Sequence, residues 1–237
     1  MEEHLQNGAI LRHGDGSFRL STDSMLLAHF AAPLCTGRVA DLGAGCGTLG
    51  LLLCAASESC TVTGVELDPT AHAIAEENIA RSGLCARLRA ILGDVGEIRA
   101  LLPAGSFDAV VSNPPYFPVG SGRSSTAQEQ AREERTLTLS QLCAAAAWLL
   151  PSGGRFALVH RPERLCDIFC TLRAHGLEPK RLQFVRHTAA APVCLVLIEA
   201  RRGGKPGLRF APDFIEFHPD GTETEQYRAA YHRGESQ

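Results

Sequence analysis

Ser112-Asn113-Pro114-Pro115-Tyr116-Phe117 puts an amide, a proline carbonyl and aromatic rings within six consecutive residues. The segment follows Ser106-Phe107-Asp108-Ala109-Val110-Val111, which reads as a buried strand from its apolar, β-branched content. A residue before proline is driven out of the helical region, and two prolines in succession lock the next turn. The Asn113 side-chain oxygen and the Pro114 carbonyl are therefore held rigidly at a strand's carboxyl end. Two such acceptors suit a planar amino group. Taking both of its hydrogens favours the pyramidal nitrogen that nucleophilic attack requires. Tyr116 is placed to stack on the ring that carries the amine. The competing reading is a proline-rich loop after a strand, and these residues alone do not separate the two.

A second constellation lies upstream. Val39-Ala40-Asp41-Leu42-Gly43-Ala44-Gly45-Cys46-Gly47-Thr48-Leu49-Gly50 is a strand running into a glycine turn, where the backbone can approach a ligand closely at a helix start. Gly45 to Gly50 fits the G-x-G-x-x-G dinucleotide fingerprint, and Glu66 ends the next strand where a ribose-binding acid belongs. An NAD-binding domain is thus the runner-up. Asp41 argues against it, because a carboxylate ahead of the glycines repels a pyrophosphate and suits an ammonium. Asp94 ends a third strand and is placed to accept from an adenine amino group. Acids closing three successive strands match S-adenosyl-L-methionine, which carries an ammonium, a ribose diol and an adenine but no phosphate. Open α/β sheets bind ligands outside the carboxyl ends of their strands, so these acids and Asn113 are expected on one rim.

The elements that must position them alternate regularly. Strands are predicted at Arg38 to Leu42, Cys60 to Glu66, Ala86 to Leu92, Ser106 to Val111, Gly154 to His160, Leu182 to Arg186 and Val193 to Ala200. Between them come helices at Thr48 to Ala56, Thr70 to Ser82, Val95 to Leu102, Leu139 to Leu150 and Pro162 to His175. The last two strands share a linker too short for a crossover helix, so they pair antiparallel. The fold class is α/β, a doubly wound sheet with a terminal antiparallel strand. Ahead of it, Ala9 to Arg12 and Ser17 to Leu20 read as a hairpin across His13-Gly14-Asp15-Gly16, followed by a helix capped at Ser21-Thr22-Asp23. Residues 118 to 138 read mostly as loop, with helical composition at 128 to 135. A strand from Asp213 to His218 and a helix near Glu223 to His232 close the chain.

The 237 residues fit one domain, with residues 1–37 as hairpin and helix, 38–200 as core and 201–237 as extension. Hydrophobic content of 45% and charged content of 21% are those of a globular chain. No apolar run reaches the roughly 18 residues of a membrane span, and Met-Glu-Glu-His is unlike a signal peptide. A cytoplasmic protein without membrane association is expected. The nine cysteines form no Cys-x-x-Cys pair, and no histidine stands at metal or triad spacing, so no metal is expected. The net charge of −3 is uneven: residues 1–150 carry 10 arginines against 16 acids, and residues 151–237 carry 13 basic residues against 10 acids. A folded nucleic acid has a basic half to meet.

Asp41-Leu42-Gly43-Ala44-Gly45-Cys46-Gly47, Val65-Glu66-Leu67-Asp68, Gly93-Asp94-Val95 and Ser112-Asn113-Pro114-Pro115-Tyr116 together resemble the motifs of class I S-adenosylmethionine-dependent methyltransferases, in that family's order and spacing. The resemblance implies a Rossmann-like core. It also implies cofactor contacts from Asp41, Gly43, Gly45, Gly47, Glu66, Leu67, Asp94, Val95 and Asn113, and amino-group methylation at Asn113, Pro114, Pro115 and Tyr116. The amine is that of an adenine in DNA or RNA, a guanine, or a glutamine side chain. Ser21-Thr22-Asp23-Ser24-Met25-Leu26-Leu27, Gln130-Ala131-Arg132-Glu133 and the tail Arg202-Gly203-Gly204-Lys205-Pro206-Gly207-Leu208 further resemble one branch, the bacterial tRNA adenine-N6 methyltransferases acting on position 37 of a valine tRNA. For this chain that implies a monomer acting on a tRNA anticodon stem-loop.

Phe117, Arg123, Arg132, Arg135, Arg186 and His187 are the candidate substrate contacts. The charge run at Arg132-Glu133-Glu134 equally fits a solvated face. Many relatives carry basic residues between the last two strands, where this chain has Thr188-Ala189-Ala190-Ala191-Pro192. Arg201, Arg202 and Lys205 follow an antiparallel strand and should emerge opposite the active rim.

Overall fold

Arg38–Leu42 (β3) is buried at every position after the first and lies inside a nine-stranded sheet. The structure, a computed structural model, describes residues 2–4, 9–12, 21–114 and 137–231. In chain order it contains β1 (Glu2–His4), β2 (Ile10–Arg12), α1 (Thr22–Ala31), β3, α2 (Thr48–Ala56), β4 (Thr61–Glu66), α3 (Pro69–Arg81) and β5 (Leu88–Leu92). Then come α4 (Ile98–Leu101), β6 (Ala109–Ser112), α5 (Leu139–Leu149), β7 (Arg155–His160), α6 (Leu165–Ala174), β8 (Leu177–Arg186) and β9 (Val193–Arg202). β10 (Arg209–Phe210), β11 (Phe214–Ile215) and α7 (Glu225–Tyr231) complete it.

The sheet order is β10-β8-β9-β7-β6-β3-β4-β5, with β11 also on β8. β3 to β7 pair parallel with one another, and β9 runs antiparallel between β7 and β8. This is a Rossmann-like, doubly wound sheet with one antiparallel strand in it. Because successive strand residues face opposite sides, Val39, Val62, Val111, Val159 and Leu197 pack under α1, α2 and α3. Ala40, Leu42, Val65, Val110, Leu158 and Ile198 pack under α4, α5 and α6. Local signals set most element ends. Ser21 caps α1 by accepting from the Ser24 amide, Asp68 caps α3, and Thr138 with Gln141 forms a capping box on α5.

Three expectations change most, beside smaller shifts such as β6 beginning at Ala109 rather than Ser106. Ile10–Arg12 is a strand, but its partner is Glu2–His4, and the expected partner at 17–20 lies outside the described residues. The polar Glu2-Glu3-His4 carries no strand pattern, yet its backbone pairs antiparallel with β2. The hairpin is tied down by Ser82, whose hydroxyl accepts from the Ile10 amide and donates to the Ile10 carbonyl. β8 begins five residues before the expected Leu182. Pro179 hides that start, because its missing amide falls at a register irregularity between Pro179 and Arg181. The expected strand from Asp213 shrinks to Phe214–Ile215, which lies parallel on β8. Among the described residues no helix is long and apolar enough to cross a membrane.

Candidate active site

β3 pairs with β4 on one side and β6 on the other, with Asp41 level with Gly64 and Val111. β5 lies beyond β4, with Leu92 level with Glu66. Asp41, Glu66, Asp94 and Asn113 therefore come together on the carboxyl rim of four adjacent parallel strands.

The glycine turn between β3 and α2 bends through left-handed conformations at Gly43 (φ 77°), Gly45 (φ 55°) and Gly47 (φ 83°), which an L side chain rarely adopts. A Cβ added to Gly43 or Gly45 would meet no atom within 4 Å, so the conformation requires glycine and open space remains beside the loop. Glu66 holds this loop. Its Oε2 accepts from the Gly45 amide at 2.8 Å and its Oε1 from the Asp68 amide at 2.8 Å. That support was not legible in the sequence, where Glu66 reads only as a ligand for a ribose. A carboxylate has about four lone-pair sites, so two amides leave it further acceptor capacity. Asp94 Oδ1 accepts from the Gly96 amide at 2.7 Å and caps the 3-10 turn Val95–Glu97. Val95 is buried, whereas Leu67 is 42% exposed and offers an apolar platform between two acids.

Asp41 is the outlier. It shares the sheet face of Val39, is 2% exposed, and its Oδ2 has no hydrogen-bond partner among the described residues. Burial first, and the neighbouring Glu66 charge second, push its pKa up to about 7. A buried acceptor left unpartnered is costly, and a cation brought to it offsets that cost. The residues present fit an amino-acid ammonium and not a pyrophosphate.

Asn113 continues the face of Ala109 and Val111, which is the α1 side of the sheet. Its Nδ2 donates to Ser24 Oγ at 3.0 Å and lies 3.5 Å from Ser21 Oγ, both in the first turn of α1. Ser112 Oγ donates to the Leu42 carbonyl at 2.7 Å, locking the end of β6 to β3. Pro114 is buried. Pro115, Tyr116, Phe117, Arg123, Arg132 and Arg135 lie outside the described residues. Ser21 and Ser24 are the site residues that sequence reasoning missed. Ser21 reads as a helix cap, and no spacing links either serine to an asparagine some ninety positions away.

The other candidates are engaged elsewhere. Arg186 pairs with Asp213 at 2.7 Å and donates to the Ala191 carbonyl at 2.6 Å, while His187 Nδ1 meets the buried Glu216 carboxylate. Both thus anchor the C-terminal extension at the end of β8. Arg201 and Arg202 donate to the carbonyls of Gly153 and His175, at the opposite end of the sheet from Asn113. His160 ends β7 fully buried, and burial lowers its pKa to about 4, so it is neutral at pH 7. A cleft lined by Arg38, Arg87, Arg89 and Phe107 opens at the amino ends of the strands. Its arginines already bond Asp108, the Cys54 and Ser57 carbonyls and Thr63, so the unpartnered acceptor is on the rim, not there.

Known proteins resemble this chain in sequence and in fold. A protein of Cronobacter sakazakii named tRNA1(Val) (adenine(37)-N6)-methyltransferase is 35% identical over 221 residues, covering 92% of this chain and 87% of that one. One of the same name from Porphyromonas gingivalis strain W83 is 32% identical over 176 residues, 72% of this chain and 69% of the relative. A crystal structure of an Agrobacterium tumefaciens protein described as a predicted O-methyltransferase superposes with a TM-score of 0.74. It covers 89% of this chain and 96% of its own at 23% identity, a likeness that carries the fold alone. The methyltransferase small domain profile matches residues 20–168, from the serine-rich start of α1 to the helix after β7. The chain thus belongs to the methyltransferase small domain family, and it is a methyltransferase.

Proposed function

We propose that the protein transfers the methyl group of S-adenosyl-L-methionine to N6 of an adenosine in tRNA, at position 37 beside the anticodon of a valine tRNA. The observation that carries the chemistry is the unpartnered Asp41 oxygen on the strand next to the one that leads into Asn113. The names of the relatives at 32% and 35% identity support the substrate. In this reading Asp41 takes the cofactor's ammonium, Glu66 the ribose hydroxyls and Asp94 the adenine amino group. Leu67 and Val95 flank the adenine, and Gly43, Gly45 and Gly47 let the backbone pass close by. The cofactor supplies a methyl group on a cationic sulfur, a good leaving group. Residues 1–237 work as one catalytic unit in the cytoplasm.

The Asn113 side-chain oxygen and the Pro114 carbonyl accept the two N6 hydrogens and turn the nitrogen lone pair toward the methyl. Pro115 stiffens the turn, and Tyr116 stacks on the extruded base. Phe117, Arg123, Arg132 and Arg135 contact the RNA around it. Arg186 and His187, bonded to Asp213 and Glu216, support the extension in this reading. Positioning carries the rate, and the amine's proton leaves to water after transfer.

Mass spectrometry of nucleosides from tRNA incubated with protein and labelled cofactor should find N6-methyladenosine. Labelled guanosine, or no labelled nucleoside, overturns the substrate. Asn113→Ala should bind S-adenosylhomocysteine within about twofold of wild type while turnover falls by roughly 10²-fold or more, the scale seen when one preorganised catalytic hydrogen bond is removed. Persistent methylation in that variant overturns the mechanism.

A further inference from the structure

We infer that Ser24 is a positioning residue for methyl transfer: its hydroxyl holds the Asn113 amide with NH2 toward α1, so that Oδ1 is presented to the substrate amine. The inference rests on the amino-group reading of the site and adds a residue to it. An asparagine amide rotates over a broad, two-fold torsion. Its two orientations are not equivalent here. With Oδ1 outward, the substrate's N–H donors meet two acceptors, Oδ1 and the Pro114 carbonyl. Turned over, the amide presents its own donors to a donor, and the amine is repelled.

The first turn of α1 bears on this choice. Nδ2 lies 3.0 Å from Ser24 Oγ and 3.5 Å from Ser21 Oγ. Ser21 Oγ–H donates to Ser24 Oγ at 3.0 Å, so the two serines and the amide form one array. Ser24 is only 8% exposed, so water does not readily replace its hydroxyl. The capping of α1 does not account for it. That role belongs to Ser21, whose Oγ accepts from the Ser24 backbone amide at 3.2 Å, and among the described residues the Ser24 hydroxyl touches the cap only by accepting from Ser21 Oγ. Sequence alternation places Asn113 on the α1 face of the sheet, and α1 meets it there with a hydroxyl where an apolar side chain would have packed as well.

This separation makes the test clean. Ser24→Ala keeps the cap and puts the best helix former into the helix, so the fold is retained. Its kcat on tRNA should fall about two- to tenfold, the range for one net hydrogen bond, with S-adenosylhomocysteine affinity and tRNA KM within about twofold. Ser24→Thr, which keeps a hydroxyl, should recover most of the loss. In an Asn113→Ala background, Ser24→Ala should cost nothing further, because the two act through one group. Unchanged kcat in Ser24→Ala, or an equal loss in both backgrounds, overturns the inference.

A second measurement does not depend on the substrate. The chain has three asparagines, at 7, 78 and 113, so selective ¹⁵N labelling resolves the Asn113 side-chain amide. Asn78, buried and donating to the Cys46 carbonyl at 3.0 Å, is the internal control. Ser24→Ala should shift the Asn113 amide protons and speed their exchange while leaving Asn78 in place. An unmoved Asn113 signal overturns the positioning role even if wild-type protein methylates nothing, whereas a wild type without turnover and a moved signal overturns only the proposed substrate.

Discussion

At the scale of single residues, Asp41 shows how a buried acid works against stability. Its pKa is displaced from 3.8 to about 7 by burial and by Glu66. Between those values the folded protein keeps a proton that the unfolded chain has released. Stability from this group therefore falls as pH rises from about 3.8 to 7 and is level above. Asp41→Asn removes the titration. Compared by urea unfolding, the variant should gain on wild type progressively from pH 4 to pH 7.5, by a few kcal/mol in all at roughly 1.4 kcal/mol per pKa unit. It should also lose cofactor binding. In the proposed site the cofactor's ammonium needs the ionised carboxylate, so affinity for S-adenosylhomocysteine should weaken about tenfold per pH unit below 7. Calorimetry across pH 5.5–7.5 reads this directly, and a flat profile would exclude Asp41 as the ammonium site.

At the scale of elements, α1 links the periphery to the site because it is held at both ends. At its carboxyl end Arg181 stacks 3.8 Å over the Phe30 ring and donates to the Phe30 carbonyl at 2.9 Å, satisfying a helix-end acceptor. Arg181 also bonds the buried Glu199, which Arg155 bonds from the other side across β9. At the amino end, Tyr231 of α7 donates to Thr22 Oγ1 at 2.9 Å. Thr22 thus serves as a bracket between helices, one residue from the serine array. Arg181→Met should cost about 1–3 kcal/mol in denaturant unfolding, less than a fully buried pair because Arg155 remains and both arginines are partly exposed. Tyr231→Phe should cost about 1 kcal/mol, one hydrogen bond's worth.

At the scale of the whole molecule, the extension after β9 closes back on the core. β11 lies parallel on β8, Phe214 is 2% exposed within the cluster under α1, and α7 reaches the first turn of α1. Removing residues 203–237 takes away that phenylalanine and the carboxylate partners of Arg186 and His187. Loss of the buried ring alone costs about 3–5 kcal/mol. At roughly 2–4 °C per kcal/mol for a chain of this size, the melting temperature should fall by on the order of 10 °C in a thermal scan. An unchanged midpoint would make the extension a passive tail.

The sequence by itself determined what acts over a few residues. Arg38–Leu42 and Thr48–Ala56 have the bounds that strand pattern and the glycine turn imply, and the cap of α1 falls within the Ser21-Thr22-Asp23 stretch, at Ser21. It also determined the shared rim. Parallel strands joined by helices must all end on one side, so acids closing β3 and β4 and following β5 meet the asparagine after β6. Only the tertiary structure decided which distant side chains touch. Ser24 and Asn113 are 89 residues apart, Arg181 and Phe30 151, and Tyr231 and Thr22 209. Those contacts depend on how each helix is rotated and where it sits against the sheet. That is set by packing summed over many residues, and no spacing within the chain encodes it.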